Sequence, residues 1–228
     1  MTNKFTDSAI SRLEHGDCLK IMREIPDNYF DITLTDPPFG MQFQSNYRQT
    51  KHKEIANDDN LDWLPEFAKE IDRINKPDAH LYLFCSHHFV EVFKTELQKY
   101  RKVKNILIWE KNNTGMGDLD GDYAPKYEMI LFCSSGERKL NNGRSPNIIK
   151  ATRTGNDLHP TQKPVDLMSF LLGKSAAPGD RIFDPFAGSG STLVAAKSLD
   201  LDWFGCEIDK EHYETAQQRL KAVQGSLF

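Results

Sequence analysis

RIFDPFAGSGST (Arg181–Thr192), running on into LVAAKSL as far as Leu199, is the stretch on which the fold turns. It opens as an apolar strand, bends at Gly188 and Gly190, and enters a helix. Glycines let the backbone approach a ligand closely, and a helix start offers free N–H groups. The Gly-Lys-Ser/Thr ending of a phosphate-gripping loop is missing. The next strand, DWFGCEID (Asp202–Asp209), brings Glu207 about 20 residues after the first glycine, the distance at which a carboxylate binds the ribose hydroxyls of an adenosine. Taken alone, the glycines also fit a tight βα turn packed for its own sake.

Asp184, immediately before the turn, suits a ligand carrying a positive amine better than a pyrophosphate. S-adenosylmethionine has such an amine and a dinucleotide does not. The turn also comes late, leaving room for one more strand and the amphipathic helix Lys210–Gln224. The other strands must therefore precede it. DITLTD (Asp31–Asp36), HLYLFC (His80–Cys85), NILIWEK (Asn105–Lys111) and YEMILFCSS (Tyr127–Ser135) read as strands. Trp63–Asn75, Phe89–Lys99 and Pro164–Lys174 have helical spacing. This alternation predicts an α/β fold with a mostly parallel sheet covered on both faces. SRLEHGD (Ser11–Asp17) is expected beside DWFGCEID. The chain would then be circularly permuted relative to a sheet that starts with its glycine-rich strand. Asp17, Asp184 and Glu207 would share the carboxyl edge, where open α/β sheets bind ligands.

Asp36-Pro37-Pro38-Phe39 also follows a strand directly. Two prolines stiffen the turn and free carbonyls from competing donors. An aspartate oxygen and a proline carbonyl can together accept both hydrogens of one planar NH2 group. That pulls the nitrogen lone pair out of conjugation and aims it outward. The adjacent aromatic ring can stack on a flat heterocycle. These are the demands of alkylating an exocyclic amine on a base taken out of a duplex. The plain alternative is a rigid turn with Phe39 in the core.

The 228 residues carry a formal charge of −4, with 39% hydrophobic, 27% charged and 11% aromatic residues, which describes one globular domain over 1–228. No apolar run reaches the roughly 20 residues that span a bilayer, and the first residues form no apolar signal core. Cys18, Cys85, Cys133 and Cys206 are scattered, with no zinc or disulfide spacing, as in a reducing cytoplasm. Mild acidity speaks at first against nucleic acid. The charge is uneven, however. Carboxylates cluster from Asp180 onward, whereas 41–60 carries Arg48, Lys51, His52 and Lys53, and 136–157 carries Arg138, Lys139, Arg144, Lys150 and Arg153. Adjacent His87 and His88 have no third ligand at recognisable spacing, and DLDGD (118–122) lacks the terminal glutamate of a calcium loop, so no metal site is read. Trp63, Trp109 and Trp203 fit the core.

Together, Asp36-Pro-Pro-Phe39 and Asp184-Pro-Phe-Ala-Gly-Ser-Gly190 resemble the exocyclic amino-group DNA methyltransferases, in the order of the β group. The resemblance covers nearly the whole chain. His159-Pro-Thr-Gln-Lys-Pro164, Gly205-Cys-Glu207-Ile-Asp209 and Gly16-Asp17-Cys18 resemble the family's cofactor-pocket, ribose-binding and adenine-holding segments. The resemblance implies a seven-stranded methyltransferase sheet. It implies S-adenosyl-L-methionine bound by Asp17, Cys18, Asp36, His159, Thr161, Lys163, Asp184, Phe186, Ala187, Gly188, Ser189, Gly190, Ser191, Thr192, Glu207 and Ile208. It implies double-stranded DNA as the partner, with a flipped base as acceptor. Asp at the head of the D-P-P turn leans to adenine N6, and Ser would lean to cytosine N4. Asp36, Pro37, Pro38 and Phe39 are the catalytic candidates, and transfer needs no covalent intermediate.

Little bulk remains for target recognition. The loops 41–60, 112–125 and 136–157 are the candidate DNA-contact insertions, with Arg48, Lys51, Lys53, Arg138, Lys139 and Arg144 as phosphate contacts. Related enzymes often pair, so a homodimer is also implied. No residue pattern speaks to a restriction endonuclease partner. Cytosine N4, RNA adenine or a protein glutamine are the alternative acceptors. A non-catalytic nucleic-acid-binding subunit is the alternative of another class, but Asp36, Phe39, Asp184 and Glu207 all stand. A nicotinamide enzyme is the third rival, opposed by the D-P-P-F turn.

Overall fold

The computed structural model describes Phe5 and residues 10–38, 60–114, 121–153 and 162–223. Its centre is β2 (Phe30–Thr35), buried along its whole length. A strand this apolar, yet carrying Asp31, Thr33 and Thr35, is stable only if each polar group finds a partner. Asp31 takes Lys76 Nζ at 2.7 Å, Arg138 Nη2 at 2.9 Å and the Arg181 amide at 3.1 Å. Thr33 donates to Asn75 Oδ1 and Thr35 to Asp184 Oδ1.

Around β2 the sheet runs β1 (Arg12–His15), β8 (Asp202–Glu207), β7 (Arg181–Asp184), β2, β3 (Asn75–Cys85), β5 (Tyr127–Cys133), β4 (Val103–Glu110) and β6 (Ile148–Lys150). Every pairing is parallel except those made by β5, which is antiparallel to β3 and β4. The sheet thus has eight described strands where seven were expected. The extra one is the short edge strand β6, whose three residues give no alternation to read.

Helices cover both faces. α1 (Cys18–Met22), α2 (Leu64–Ile74) and α3 (Val90–Leu97) bury Met22, Phe67, Ile71 and Phe93 on one side. On the other side α4 (Val165–Ser175), α5 (Ser191–Ser198) and α6 (Lys210–Ala222) bury Leu171, Ala195 and Leu220. Rings from three neighbouring strands stack beneath the first layer: Phe30 on Phe183 at 4.6 Å, and Phe183 on Phe204 at 5.9 Å. Trp109 and Trp203 are core residues, as expected. No described helix is long and apolar enough to cross a membrane.

Strand direction decides where each loop lies. Because β5 runs against its neighbours, it starts at the carboxyl edge of the parallel strands and ends at the amino edge. The Ser134 amide bonds Lys102 O there, at the foot of β4. Residues 134–147 therefore follow the edge opposite the ends of β2, β7 and β8.

Candidate active site at the carboxyl edge

The glycine-rich turn is built from both sides. Gly190 caps α5 with φ +80°, where an L side chain is strained, and a Cβ there would come 3.0 Å from Ala216 Cβ of α6. In β8, a Cβ on Gly205 would come 2.6 Å from Leu193 Cδ1, so its absence lets α5 settle onto the strand. Gly188 also has positive φ, +52°. The Ala187 amide bonds Cys206 O at 2.9 Å, tying the turn to β8. Arg219 of α6 donates to Ser189 O at 2.6 Å, to Ser189 Oγ at 3.0 Å and to Ser191 Oγ at 3.2 Å. The Ser189 and Ser191 hydroxyls thus hold the turn in shape from behind.

The acids gather as the sequence predicts. Glu207 accepts from the Gly188 amide at 2.7 Å and the Asp209 amide at 2.8 Å. The Gly16 amide bonds Glu207 O, so the start of α1 meets the end of β8. Asp17 caps α1 through the Leu19 amide at 2.9 Å. Ile208, just past the end of β8, is exposed. Asp184 is sealed in the interior, and burial pushes its carboxyl up to about 7, against hydrogen bonds from Thr35, Thr192 and the Phe186 amide. Phe186 is fixed by ring contacts with Trp63 and Phe67, both at 5.4 Å.

Asp36 follows β2 directly, beside buried Pro37 and half-buried Pro38. Its Oδ2 bonds Lys163 Nζ. Its Oδ1 is closed off from solvent and has no hydrogen-bond partner among the described residues. Lys163 is buried, with Nζ 5.1 Å from the Phe84 ring centre, and it also faces Glu128 Oε2 at 3.2 Å. Lys111 Nζ holds Glu128 Oε1 at 2.7 Å. Burial pushes the Asp36 carboxyl up, with Lys163 opposing; the neighbouring lysines hold Glu128 below its usual range. Glu128 and Lys111 were not anticipated. Glu128 is the one charged residue in an apolar strand, a signal that points to this edge only once β5 is known to run backwards. Lys163, expected on the cofactor, has its ammonium on two carboxylates.

The Cys18 thiol is pushed up to about 12, mainly by burial, and burial also raises Cys85, Cys133 and Cys206. All four stay thiols, unsuited to nucleophilic attack.

The DNA-contact residues divide. Arg138 sits at the amino edge with its guanidinium on Asp180 at 2.6 Å, Asp31 at 2.9 Å and Ser175 O at 3.1 Å. It fastens β2 to the start of β7. Lys139 and Arg144 lie along that same edge, away from the turns. The physical reason is the reversed course of β5. Only after β6 does the chain return: Lys150 lies 3.8 Å from Glu110, and the Arg153 amide bonds Asn112 Oδ1 at 2.9 Å. Phe39, Arg48, Lys51, Lys53, His159 and Thr161 lie outside the described residues, as do 41–59, 115–120 and 154–157 of the three candidate loops.

Residues 30–218 match the N6/N4 methyltransferase family, described as DNA methylase. YubD of Escherichia coli (strain K12), named as a methylase, is 32% identical over 219 residues, covering 96% of this chain and 93% of its own. Among solved structures, the M1.HpyAVI–SAM complex matches with a TM-score of 0.71 and 25% identity, over 92% of this chain and 99% of that one. The cytosine-N4-specific PvuII DNA methyltransferase matches with a TM-score of 0.75 at 18% identity, over 93% and 87%, a likeness of fold. The chain therefore belongs to the DNA methylase family whose members modify exocyclic amino groups.

Proposed function

We propose that this protein methylates the exocyclic N6 of an adenine flipped out of double-stranded DNA, with S-adenosyl-L-methionine as donor. One observation carries the reading: Asp36 presents a buried, unpartnered oxygen at the end of β2, one strand from the glycine-rich turn. A desolvated acceptor of that kind is costly unless a donor arrives to use it.

The residues present fit the cofactor. Gly188 and Gly190 both take positive φ at the turn into α5, a path that residues with side chains rarely follow. Glu207 suits ribose hydroxyls, and Asp17 and Cys18 stand at the neighbouring strand end. Asp184, unpaired with any cation in the described chain, suits an ammonium group. Phe186, Ala187, Ile208 and the Thr192 hydroxyl line the same edge. When bound, the cofactor supplies an electrophilic methyl group on a sulfonium.

The chain's own work is to grip the amine. Asp36 Oδ1 accepts one N–H and the Pro37 carbonyl the other, so the nitrogen lone pair is turned out of the ring plane. Pro37 and Pro38 hold that carbonyl rigidly, and Phe39 stacks on the base. Asp36, raised by burial, is suited to draw off the proton that the amine loses on alkylation. Lys150 and Arg153 border this edge and, with Arg48, Lys51 and Lys53, are the proposed phosphate contacts. The position of the glycine-rich strand, seventh in the chain and third in the sheet, supports the permuted order. Asp36→Ala is expected to fold and to lose methyl transfer to DNA; retained transfer would overturn the reading.

A further inference from the structure

We propose that Glu128 is a positioning residue for this reaction: by sharing the Lys163 ammonium with Asp36, it fixes the Asp36 carboxylate with Oδ2 held and Oδ1 left open for the amine. The proposal rests on the function proposed above and adds the device that prepares its acceptor.

The geometry is a row of alternating charge. Asp36 follows β2, Lys163 precedes α4, Glu128 opens β5 and Lys111 follows β4. Lys163 lies between two carboxylates, and Glu128 lies between two ammonium groups. Four elements thus bring charge to one point around the buried Lys163 ammonium, with Asp36, Glu128 and Lys111 partly buried. Such groups are expensive to desolvate and are seldom kept where a lone pair of opposite charges would do. With only Asp36 to bind, the Lys163 ammonium could settle across both of its oxygens, leaving little acceptor strength for a substrate. Glu128 Oε2, in an ion-pair contact 3.2 Å from Nζ that lacks hydrogen-bond geometry, draws it toward the other side by charge. Lys111 holds Glu128 in turn, with its own Nζ 5.3 Å from the Trp109 ring centre. The Trp109 indole is anchored on Ala151 O at 2.8 Å, so the row ends in a fixed wall.

Among the described residues, the charged and titratable groups facing Asp36 are Lys163, Glu128, Lys111, Asp184 and Cys85. Two isosteric changes act on this set with opposite sign. Glu128→Gln removes a negative neighbour of Asp36 and one of the carboxylates on Lys163, so the Asp36 carboxyl should titrate at lower pH. Lys111→Gln removes a cation and lets Glu128 pull harder on Lys163, so Asp36 should titrate at higher pH. Carbon-13 NMR of the labelled aspartate carboxyls reads both shifts without substrate. Single-turnover methylation of duplex DNA should slow about tenfold or more in Glu128→Gln, measured at saturating S-adenosylmethionine and below the variant's melting temperature, which the loss of this carboxylate should lower. Glu128→Asp should recover part of the rate.

An Asp36 titration that moves in neither variant would overturn the proposal. So would one that moves while the transfer rate stays at the wild-type value. If the wild-type chain modifies no DNA, the proposed function falls, and the two titrations still decide whether Glu128 sets the state of Asp36.

Discussion

The Thr35 hydroxyl donates a 2.7 Å hydrogen bond to Asp184 Oδ1, joining the strand that ends in the D-P-P turn to the strand that ends in the glycine-rich turn. The two motifs lie far apart in the chain, yet β2 and β7 pair directly and this buried bond ties their ends together. It also counters part of the cost of burying Asp184, since a donor to a carboxylate favours its charged form.

Thr35→Val should test that link. Removing a donor from a buried carboxylate costs about 1–3 kcal/mol, so denaturant unfolding should show a loss of that order. The Asp184 carboxyl should rise further, and S-adenosylmethionine binding at pH 7 should weaken with it. Calorimetric titration checks the second effect.

Asp184 itself predicts a proton linkage. Its carboxyl is raised to about 7 because burial disfavours the charged form. An ammonium bound beside it would favour that form and lower the value. Below about pH 7, cofactor binding should therefore expel a proton, and affinity should rise as pH climbs toward 7 and then level off. Calorimetry in buffers of different ionisation enthalpy should detect the release, and Asp184→Asn should abolish it.

Arg138 separates a structural clasp from a DNA contact. Removing it leaves Asp180, largely buried, without its cation, and leaves Asp31 with Lys76 alone. Breaking a buried pair in this way costs on the order of 3 kcal/mol. Arg138→Ala should lower stability by about that much, while the salt dependence of DNA binding should not change.

Reversing charge at the carboxyl edge should do the opposite. Lys150→Glu with Arg153→Glu should weaken DNA binding, and the slope of log affinity against log salt should shrink by about 0.9 for each phosphate that is no longer neutralised. Lys139→Glu with Arg144→Glu, at the far edge, should leave that slope as it is. Filter binding over a salt series distinguishes the two pairs.

What could be read beforehand follows from how local each signal is. The turn at Asp184–Thr192 and the turn at Asp36–Phe39 carry their chemistry in consecutive residues, so their shared edge could be placed from strand order alone. The helix starting at Lys210 was equally plain, its Asp209 cap accepting the Glu211 and His212 amides. The row Asp36, Lys163, Glu128 and Lys111 has no local signature, because each member comes from a different element. Lys163 lies in a motif that resembles a cofactor segment, and nothing in that motif reveals an ion pair 127 positions back. Arg138, Lys139 and Arg144 look like any basic loop. Only the reversed direction of β5 shows that they follow the amino edge, opposite the two turns.

The most direct test is mass spectrometry of nucleosides from duplex DNA incubated with the protein and methyl-labelled S-adenosylmethionine. Methyl transfer to adenine N6 through Asp36 predicts labelled N6-methyladenine from the wild-type chain and none from Asp36→Ala. Labelled N4-methylcytosine in its place, or undiminished N6-methyladenine from Asp36→Ala, would contradict it.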